Sequence, residues 1–273
     1  MRIYSDGKGV AFETPEDFEQ YRSNPSDFKL AREFGFNFNP DLKGLEFPQI
    51  ISVMIRQEIK GQFDLSQFPN LKYLDVNKWN KKLEIRGSEQ MHKLRSIYLP
   101  SFKPLDNSLI QLEKFPVIEQ IEIIGTNITS LQGLEKLITL KRLTIEDGKK
   151  VKDISPLIER GRTLNAVPLR FNLTNNKVLD WTPLINLAED CPQIIDLVFV
   201  NCIDIPSLSF LKHFPGLRSL SIHDTLVLDG DMSPGQHLLR FWHDNKRTYN
   251  LKCAHDNLGW EGIERDLLIT KEL

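Results

Sequence analysis

Three His-Asp pairs are the residues of this chain with the most direct chemical potential. An imidazole beside a carboxylate suits a divalent metal ion, as in metal-dependent hydrolases. The pairs fall in three different segments, and nothing around them supplies the further ligands that such a site needs. A metal-dependent hydrolase using these C-terminal residues is therefore an alternative of a different class, and we expect no bound metal. The pairs are His223-Asp224, His243-Asp244 and His255-Asp256.

The three cysteines, Cys191, Cys202 and Cys253, are the other candidates for chemistry. A nucleophilic thiolate needs an activating base or positive surroundings, and neither accompanies these residues in the sequence. Three scattered cysteines also make no disulfide framework, which is typical of a reducing compartment. The motifs Gly-x-Ser-x-Gly, His-Glu-x-x-His and Cys-x-x-Cys are absent from the sequence. We therefore expect a protein that is not an enzyme and has no cofactor.

The charges of the chain nearly balance, with 35 basic and 37 acidic residues and a net charge of -2. Without a global basic field, we expect neither a nucleic acid nor a membrane as partner. The N-terminal segment lacks the basic start and apolar run of a signal peptide, and no segment reaches about 18 consecutive apolar residues. These features predict a cytoplasmic protein.

A regular apolar repeat dominates the sequence. Its template is apolar, two other residues, apolar, one other, apolar, and it occurs eight times at intervals of 21 to 30 residues. The longest unit begins at Leu164. A period of this length is typical of a solenoid built from stacked units. The matches are Ile50/Val53/Ile55, Leu71/Leu74/Val76, Leu94/Ile97/Leu99, Ile118/Ile121/Ile123, Leu140/Leu143/Ile145, Leu164/Val167/Leu169, Ile194/Leu197/Phe199 and Leu217/Leu220/Ile222.

The strand template L-x-x-L-x-L, with second halves such as "VKDISPLIER" and "VLDWTPLINL", resembles the leucine-rich repeat family, in particular its internalin and phosphatase-regulator subclass. The resemblance implies an α/β solenoid, with a parallel sheet on the concave face and short helices, 3-10 turns and loops on the convex face. Both ends are expected to be capped. At the ladder position, nine residues into the repeat, Asn172 and Cys202 fit the family, whereas Trp79 and Gly148 depart from it.

The two ends of the array carry helix-start signals. Thr14 is predicted as the N-cap of a helix beginning at Pro15. Ser233 followed by Pro234 predicts a second helix, which would seal the last repeat with an apolar stripe. That stripe consists of Leu238, Leu239 and Trp242. The predicted organisation is an N-terminal cap at 1–46, a leucine-rich repeat array of about eight repeats at 47–228, and a C-terminal cap at 229–273.

The sheet of such a solenoid presents one exposed face. With the first template residue as position one, positions three, five and seven point outward. Aromatic anchors beside charges favour a protein interface, and two outward valines add an apolar patch. The predicted protein-binding residues are Tyr73, Asp75, Tyr98, Glu122, Arg142, Asp196, Val198 and Val200.

The function implied by the resemblance is non-catalytic binding of a partner protein on the concave sheet. Two kinds of interaction protein remain open. One is an adaptor, and the other is an immunity-type protein that neutralises a toxin by covering its surface. The sequence does not distinguish them, because both need only a broad docking surface and no reaction chamber.

Overall fold

The computed structural model describes residues 1–3 and 7–243 of the chain. They contain three helices, α1 (Pro15–Ser23), α2 (Ser155–Arg162) and α3 (Thr182–Ile185). Shorter 3-10 turns cover Pro25–Phe28, Leu65–Gln67, Ser88–Gln90, Ile110–Leu112, Leu134–Lys136, Ser209–His213 and Ser233–Gly235. The strands are β1 (Arg2–Ile3), β2 (Gly9–Phe12), β3 (Glu33–Phe36), β4 (Ser52–Ile55), β5 (Gly61–Asp64), β6 (Tyr73–Val76), β7 (Trp79–Asn80), β8 (Leu83–Arg86), β9 (Ser96–Leu99), β10 (Phe102–Lys103), β11 (Gln120–Ile124), β12 (Arg142–Glu146), β13 (Leu169–Thr174), β14 (Ile194–Val200), β15 (Ser219–His223) and β16 (Arg240–His243).

Twelve strands form one sheet in the order β1-β2-β3-β4-β6-β9-β11-β12-β13-β14-β15-β16. β1 runs antiparallel to β2, and the other neighbours in this sheet are parallel. Two parallel ribbons, β5 with β8 and β7 with β10, lie outside it. Short helices and 3-10 turns return the chain between successive strands, so each repeat adds one parallel strand. The predicted leucine-rich repeat solenoid is confirmed.

Inward-pointing residues of neighbouring strands stack into one continuous core. Ile121 is the register partner of Leu143, Leu143 of Phe171, and Phe171 of Leu197. Each of these four side chains is at most 1% exposed. Burial of one such side chain contributes about 1.5–3 kcal/mol, but a single repeat cannot cover its own apolar side. The stability of the chain therefore comes from the stacking of units.

The strand of the sixth unit lies later in the chain than the sequence predicts. The template match beginning at Leu164 is wrong, because Leu164 is 81% exposed and β13 pairs Phe171, not Val167, with Leu143. Helix α2 ends only at Arg162, so the following residues are needed to return the chain to the sheet. Pro168 has no backbone N–H for the ladder, and the strand starts directly after it. The predicted register is four residues too early.

This correction also moves the ladder position. Asn176, not Asn172, follows β13 at the ladder position, and its side chain is fully buried. Its Nδ2 donates to the carbonyls of Gly148 and Val151, at 2.6 Å each. Its Oδ1 accepts from the backbone N–H groups of Val178 and Leu179, at 3.0 and 2.7 Å. One amide thus satisfies four backbone groups in two consecutive turns of the solenoid.

The other ladder residues make the same kind of contact with smaller side chains. The Thr126 hydroxyl donates to the carbonyl of Phe102 at 2.7 Å. The backbone N–H of Cys202 donates to the hydroxyl of Thr225 at 2.9 Å. Gly148 fits its ladder position because an added Cβ would lie 2.6 Å from Cδ1 of Leu173. A larger residue at this position would require the Leu173 side chain to move.

The predicted helix at the N-terminus is confirmed. α1 begins at Pro15, and Thr14 forms a capping box with Asp17. Phe18 and Tyr21 of α1 are buried, with ring centroids 5.2 and 5.6 Å from that of Phe12. The parallel sheet, however, already includes β2 and β3, so strands of the array lie inside the segment predicted as a cap. The boundary at residue 46 stays a prediction.

The helix predicted after Ser233 is wrong. Residues Ser233–Gly235 form one 3-10 turn, and the chain then enters β16, which pairs in parallel with β15. Leu238 is buried as predicted, but Leu239 is 71% exposed. The reason is that the last residues alternate in the strand period, with Phe241 inward and its neighbours outward. The predicted C-terminal cap beyond residue 243 lies outside the described residues.

Within the described ranges, no helix is both long and apolar enough to cross a lipid bilayer.

Candidate protein-binding face

The outward side chains of the main sheet form rows that run across its strands, and we call this surface the concave face. The row at position three belongs to the start of each strand, and the row at position five lies two residues further. Position three holds Ser52, Tyr73, Ser96, Gln120, Arg142, Arg170, Asp196, Ser219 and Arg240. Position five holds Met54, Asp75, Tyr98, Glu122, Thr144, Asn172, Val198, Ser221 and Trp242.

A groove of about 430 Å³ crosses the middle of the concave face, and we call it the central groove. It reaches from β9 to β16 and is lined by charged, aromatic and apolar side chains. An extended surface of this mixed character suits a protein partner better than a small molecule, which favours an enclosed apolar pocket. Five of the predicted binding residues line it: Tyr98, Glu122, Arg142, Asp196 and Val198.

The other three predicted residues lie outside this groove. Tyr73 and Asp75 lie on β6, next to the strand that carries Tyr98, and the Tyr73 side chain is 44% exposed. Val200 lies at the end of β14, one outward position beyond Val198. Both valines are half-buried, so the apolar patch that they form is smaller than the sequence suggests.

Asp75 is the electrostatically unusual member of this face. Burial raises the pKa of its carboxyl to about 6, although Arg56 on the neighbouring β4 unit lowers it. Its Oδ1 is buried and has no hydrogen-bond partner among the described residues. Arg56 lies over Gly35, where an added Cβ would be 2.9 Å from its Nε. Burial in the N-terminal part of the concave face thus moves the ionisation of this carboxyl toward neutral pH.

The Asp75→Asn variant is expected to be more stable than the natural chain at pH 7, by about 1–2 kcal/mol. The ordinary pKa of an aspartate is 3.8, whereas folded Asp75 keeps its proton up to about pH 6. Since the folded state binds more protons than the unfolded state in this range, its stability falls as the pH rises from about 4 to 6. Urea unfolding of both proteins at a series of pH values measures the difference.

The matched control is Glu113→Gln, which removes an exposed carboxyl outside the sheet. The difference in unfolding free energy between Glu113→Gln and the natural chain should stay constant over the same pH range. For Asp75→Asn, the difference in unfolding free energy should be smaller at pH 4 than at pH 7. An equal difference at both pH values would contradict the raised pKa of Asp75.

Trp242 is a residue of this face that the sequence analysis placed elsewhere. It is 37% exposed, and its ring stacks on that of His223 with centroids 3.4 Å apart. The signal that could have located it is the alternation in "RFWH", which has the strand period and not the helix period. Together with Val198 it makes the C-terminal part of the concave face partly apolar.

The structure also locates the candidates for chemistry. Among residues 1–3 and 7–243, no group of three or more His, Cys, Asp and Glu side chains is placed to hold a metal ion. His223 and His243 end the neighbouring strands β15 and β16. Asp244, the pair His255-Asp256 and Cys253 lie outside the described residues. Cys191 and Cys202 are buried, and burial raises the pKa of each thiol to about 11. Both therefore stay protonated at neutral pH.

Comparisons with known proteins find a likeness in structure but none in sequence. No protein-family model matches the sequence, and no curated protein matches it either. Among solved structures, the chain is similar to an internalin from Listeria monocytogenes, with 15% identical residues and a TM-score of 0.40. The alignment covers 83% of this chain and 78% of that one. The fold assignment rests on the strand register of the present chain.

Proposed function

We infer that this protein is a non-catalytic interaction module that binds a partner protein on its concave face. The observation that carries this proposal is the central groove, which is open, extends over several strands and combines Tyr98 with both signs of charge. Binding hot spots are enriched in aromatic and arginine side chains surrounded by polar contacts. The outward side of a parallel sheet can present such a set, because the inward side chains form the core.

Site-specific photo-crosslinking in the native cells tests this proposal. A benzoylphenylalanine replaces Tyr98 in the full chain, and mass spectrometry identifies the crosslinked protein. With that protein purified, Tyr98→Ala and Val198→Asp are each expected to weaken binding about tenfold or more, since both remove central contacts. Isothermal titration measures the affinities.

Leu105 provides the matched control, because it is 73% exposed and lies outside the main sheet. The same photoreactive residue at that position should not give the same crosslink. Equal crosslinking at both positions would indicate that the partner binds another surface. The same conclusion would follow if neither Tyr98→Ala nor Val198→Asp changed the affinity for the partner.

A further inference from the structure

An arginine row lies along one side of the central groove. Arg142, Arg170 and Arg240 occupy position three of β12, β13 and β16, with Asp196 and Ser219 on the two strands between them. All five residues line the groove. Three guanidinium groups face a single carboxylate in this row, so this side of the groove is positively charged.

Two of these arginines are direct register partners. Arg142 on β12 is opposite Arg170 on β13, and neighbouring strands are about 4.8 Å apart. Like charges directly opposite each other destabilise a sheet. Both side chains are half-buried, and neither guanidinium forms a hydrogen bond or a close ion pair with any of the described residues. Two adjacent guanidinium groups are thus held toward the groove. Glu122 and Asp196 interact with them through charge, without a hydrogen bond.

Asp196 does not use up this capacity. It is the register partner of Arg170, yet its Oδ1 is buried and without a hydrogen-bond partner among the described residues. Burial raises the pKa of its carboxyl against the effect of Arg170. The carboxyl hydrogen-bonds the Ser219 side chain and interacts with Arg170 and Arg142 through charge. The aspartate therefore reduces the positive charge of the row without a hydrogen bond to either arginine.

The opposite side of the central groove has the opposite charge. Glu122 lies at position five of β11, and Glu146 ends β12 beyond position five. Both line the same groove as the arginines. The groove is therefore positive where these strands begin and negative where they end.

We propose that the Arg142–Arg170 pair binds an acidic side chain of the partner protein, whose segment crosses the central groove. This proposal rests on the proposed function and adds the chemistry of the partner. A guanidinium binds a carboxylate through two parallel hydrogen bonds, and two adjacent guanidiniums can hold one carboxylate between them. The bound carboxylate relieves the repulsion between the two arginines. A carboxylate is therefore bound more tightly by the pair than by either arginine alone.

Charge complementarity favours a protein over a nucleic acid as the occupant. A polyanion needs a continuous basic track, whereas here Asp196 interrupts the row and Glu122 and Glu146 face it. A protein segment can place an acidic residue on the arginine side and a basic or neutral residue on the glutamate side. The groove therefore matches isolated carboxylates and not a repeating phosphate backbone.

Selection of displayed random dodecapeptides on the full chain tests the proposal. Peptides whose binding is weakened by Tyr98→Ala are retained as concave-face binders, and they are expected to be enriched in Asp and Glu. Fluorescence anisotropy then measures each peptide against the natural chain and the Arg142→Gln/Arg170→Gln double variant. We expect the double variant to lose about tenfold or more in affinity, because a hydrogen-bonded charge is lost. Replacing the critical Glu of the peptide by Gln should produce the same loss on the natural chain.

Arg86→Gln is the matched control, since Arg86 is an exposed arginine on β8, outside the main sheet. It should change the affinity less than about twofold. Exchange of charges gives a second test. In a variant of the peptide, Lys replaces the critical Glu. The Arg170→Glu protein is expected to bind this peptide more tightly than the natural chain binds it. This rescue also shows that the variant is folded.

The outcomes separate the two proposals. Concave-face peptides without acidic enrichment, or with affinity unchanged by the double variant, would overturn the arginine site and leave the proposed function standing. Failure to obtain any peptide sensitive to Tyr98→Ala would count against both. Displacement of the acidic peptide by oligothymidylate at lower concentration than by the unlabelled peptide would make a nucleic acid the occupant and overturn the proposal.

Discussion

Replacing Arg160 by methionine is expected to lower the free energy of unfolding by about 2–4 kcal/mol. Arg160 lies on α2 and is fully buried. Its Nε donates to the carbonyl of Leu137 at 3.1 Å, and its Nη2 lies 2.7–3.2 Å from the carbonyls of Ile138, Leu140 and Val167. Methionine fills much of the same space but donates to none of these carbonyls. Those of Leu137 and Ile138 keep the backbone N–H groups of Leu140 and Val167 as donors, whereas those of Leu140 and Val167 lose the guanidinium.

The position of Arg160 explains why the effect should be large. Three of its acceptors belong to the segment that leads into β12, and Val167 belongs to the segment that leads into β13. The guanidinium therefore ties together two units that the long insertion containing α2 separates. Burial lowers the pKa of Arg160 to about 10, so the group is still charged at neutral pH and donates as a cation. Charge-assisted hydrogen bonds of this kind are about twice as strong as neutral ones.

Urea unfolding followed by far-ultraviolet circular dichroism measures this loss. Arg162→Met is the control on the same helix, because its ion pair with Glu189 is at 3.4 Å and partly exposed. It should cost less than about 1 kcal/mol. If Arg160→Met unfolded at the same urea concentration as Arg162→Met, the four carbonyl contacts would not be stabilising the fold.

The Asn176→Leu variant is expected to lose about 2–4 kcal/mol of stability. Leucine has a similar size but cannot bond the two carbonyls and the two N–H groups that the buried amide satisfies. Asn176→Asp should be destabilised as well, since it loses both donors and places a carboxylate among carbonyl oxygens. Its loss should shrink at acid pH, where the carboxyl is protonated.

Thermal and urea unfolding at pH 7 and pH 4.5 measure these losses. The control is Asn165→Leu on an exposed loop, where the expected change is below about 0.5 kcal/mol. Hydrogen exchange localises the effect, with protection lost first in β12 and β13, whose following turns Asn176 joins. A uniform loss over all strands would contradict a local role for the ladder residue.

Both substitutions act beneath the proposed binding site. Arg160 and Asn176 hold the units that carry Arg142 and Arg170, although neither reaches the concave face. Loosening β12 against β13 would therefore weaken partner binding without removing a contact. The stability of the ladder and the geometry of the arginine pair are linked through the same two strands.

Much of the candidate face was predictable because strand period alone decides which residues point outward. Tyr73, Asp75, Tyr98, Glu122, Asp196 and Val198 lie on the concave face where the template places them. The template that begins at Leu164 puts Arg170 at position seven of its unit. The structure puts it at position three, because that template match is four residues too early. Arg240 and Trp242 were missed, because "HLLRFWH" fits an apolar stripe on a helix as well as a strand. Whether these residues bind a partner stays a prediction.

By itself, the sequence determined the repeat, the parallel stacking and the continuous apolar core, because these depend only on a local pattern that recurs along the chain. Only the tertiary structure decided the register of β13, the inclusion of β2, β3 and β16 in the sheet, and the facing of Arg142 by Arg170. Those features depend on how far an irregular segment such as 155–168 travels before the chain returns to the sheet. That distance is set by packing between units. A sequence pattern within a single unit carries no information about such packing.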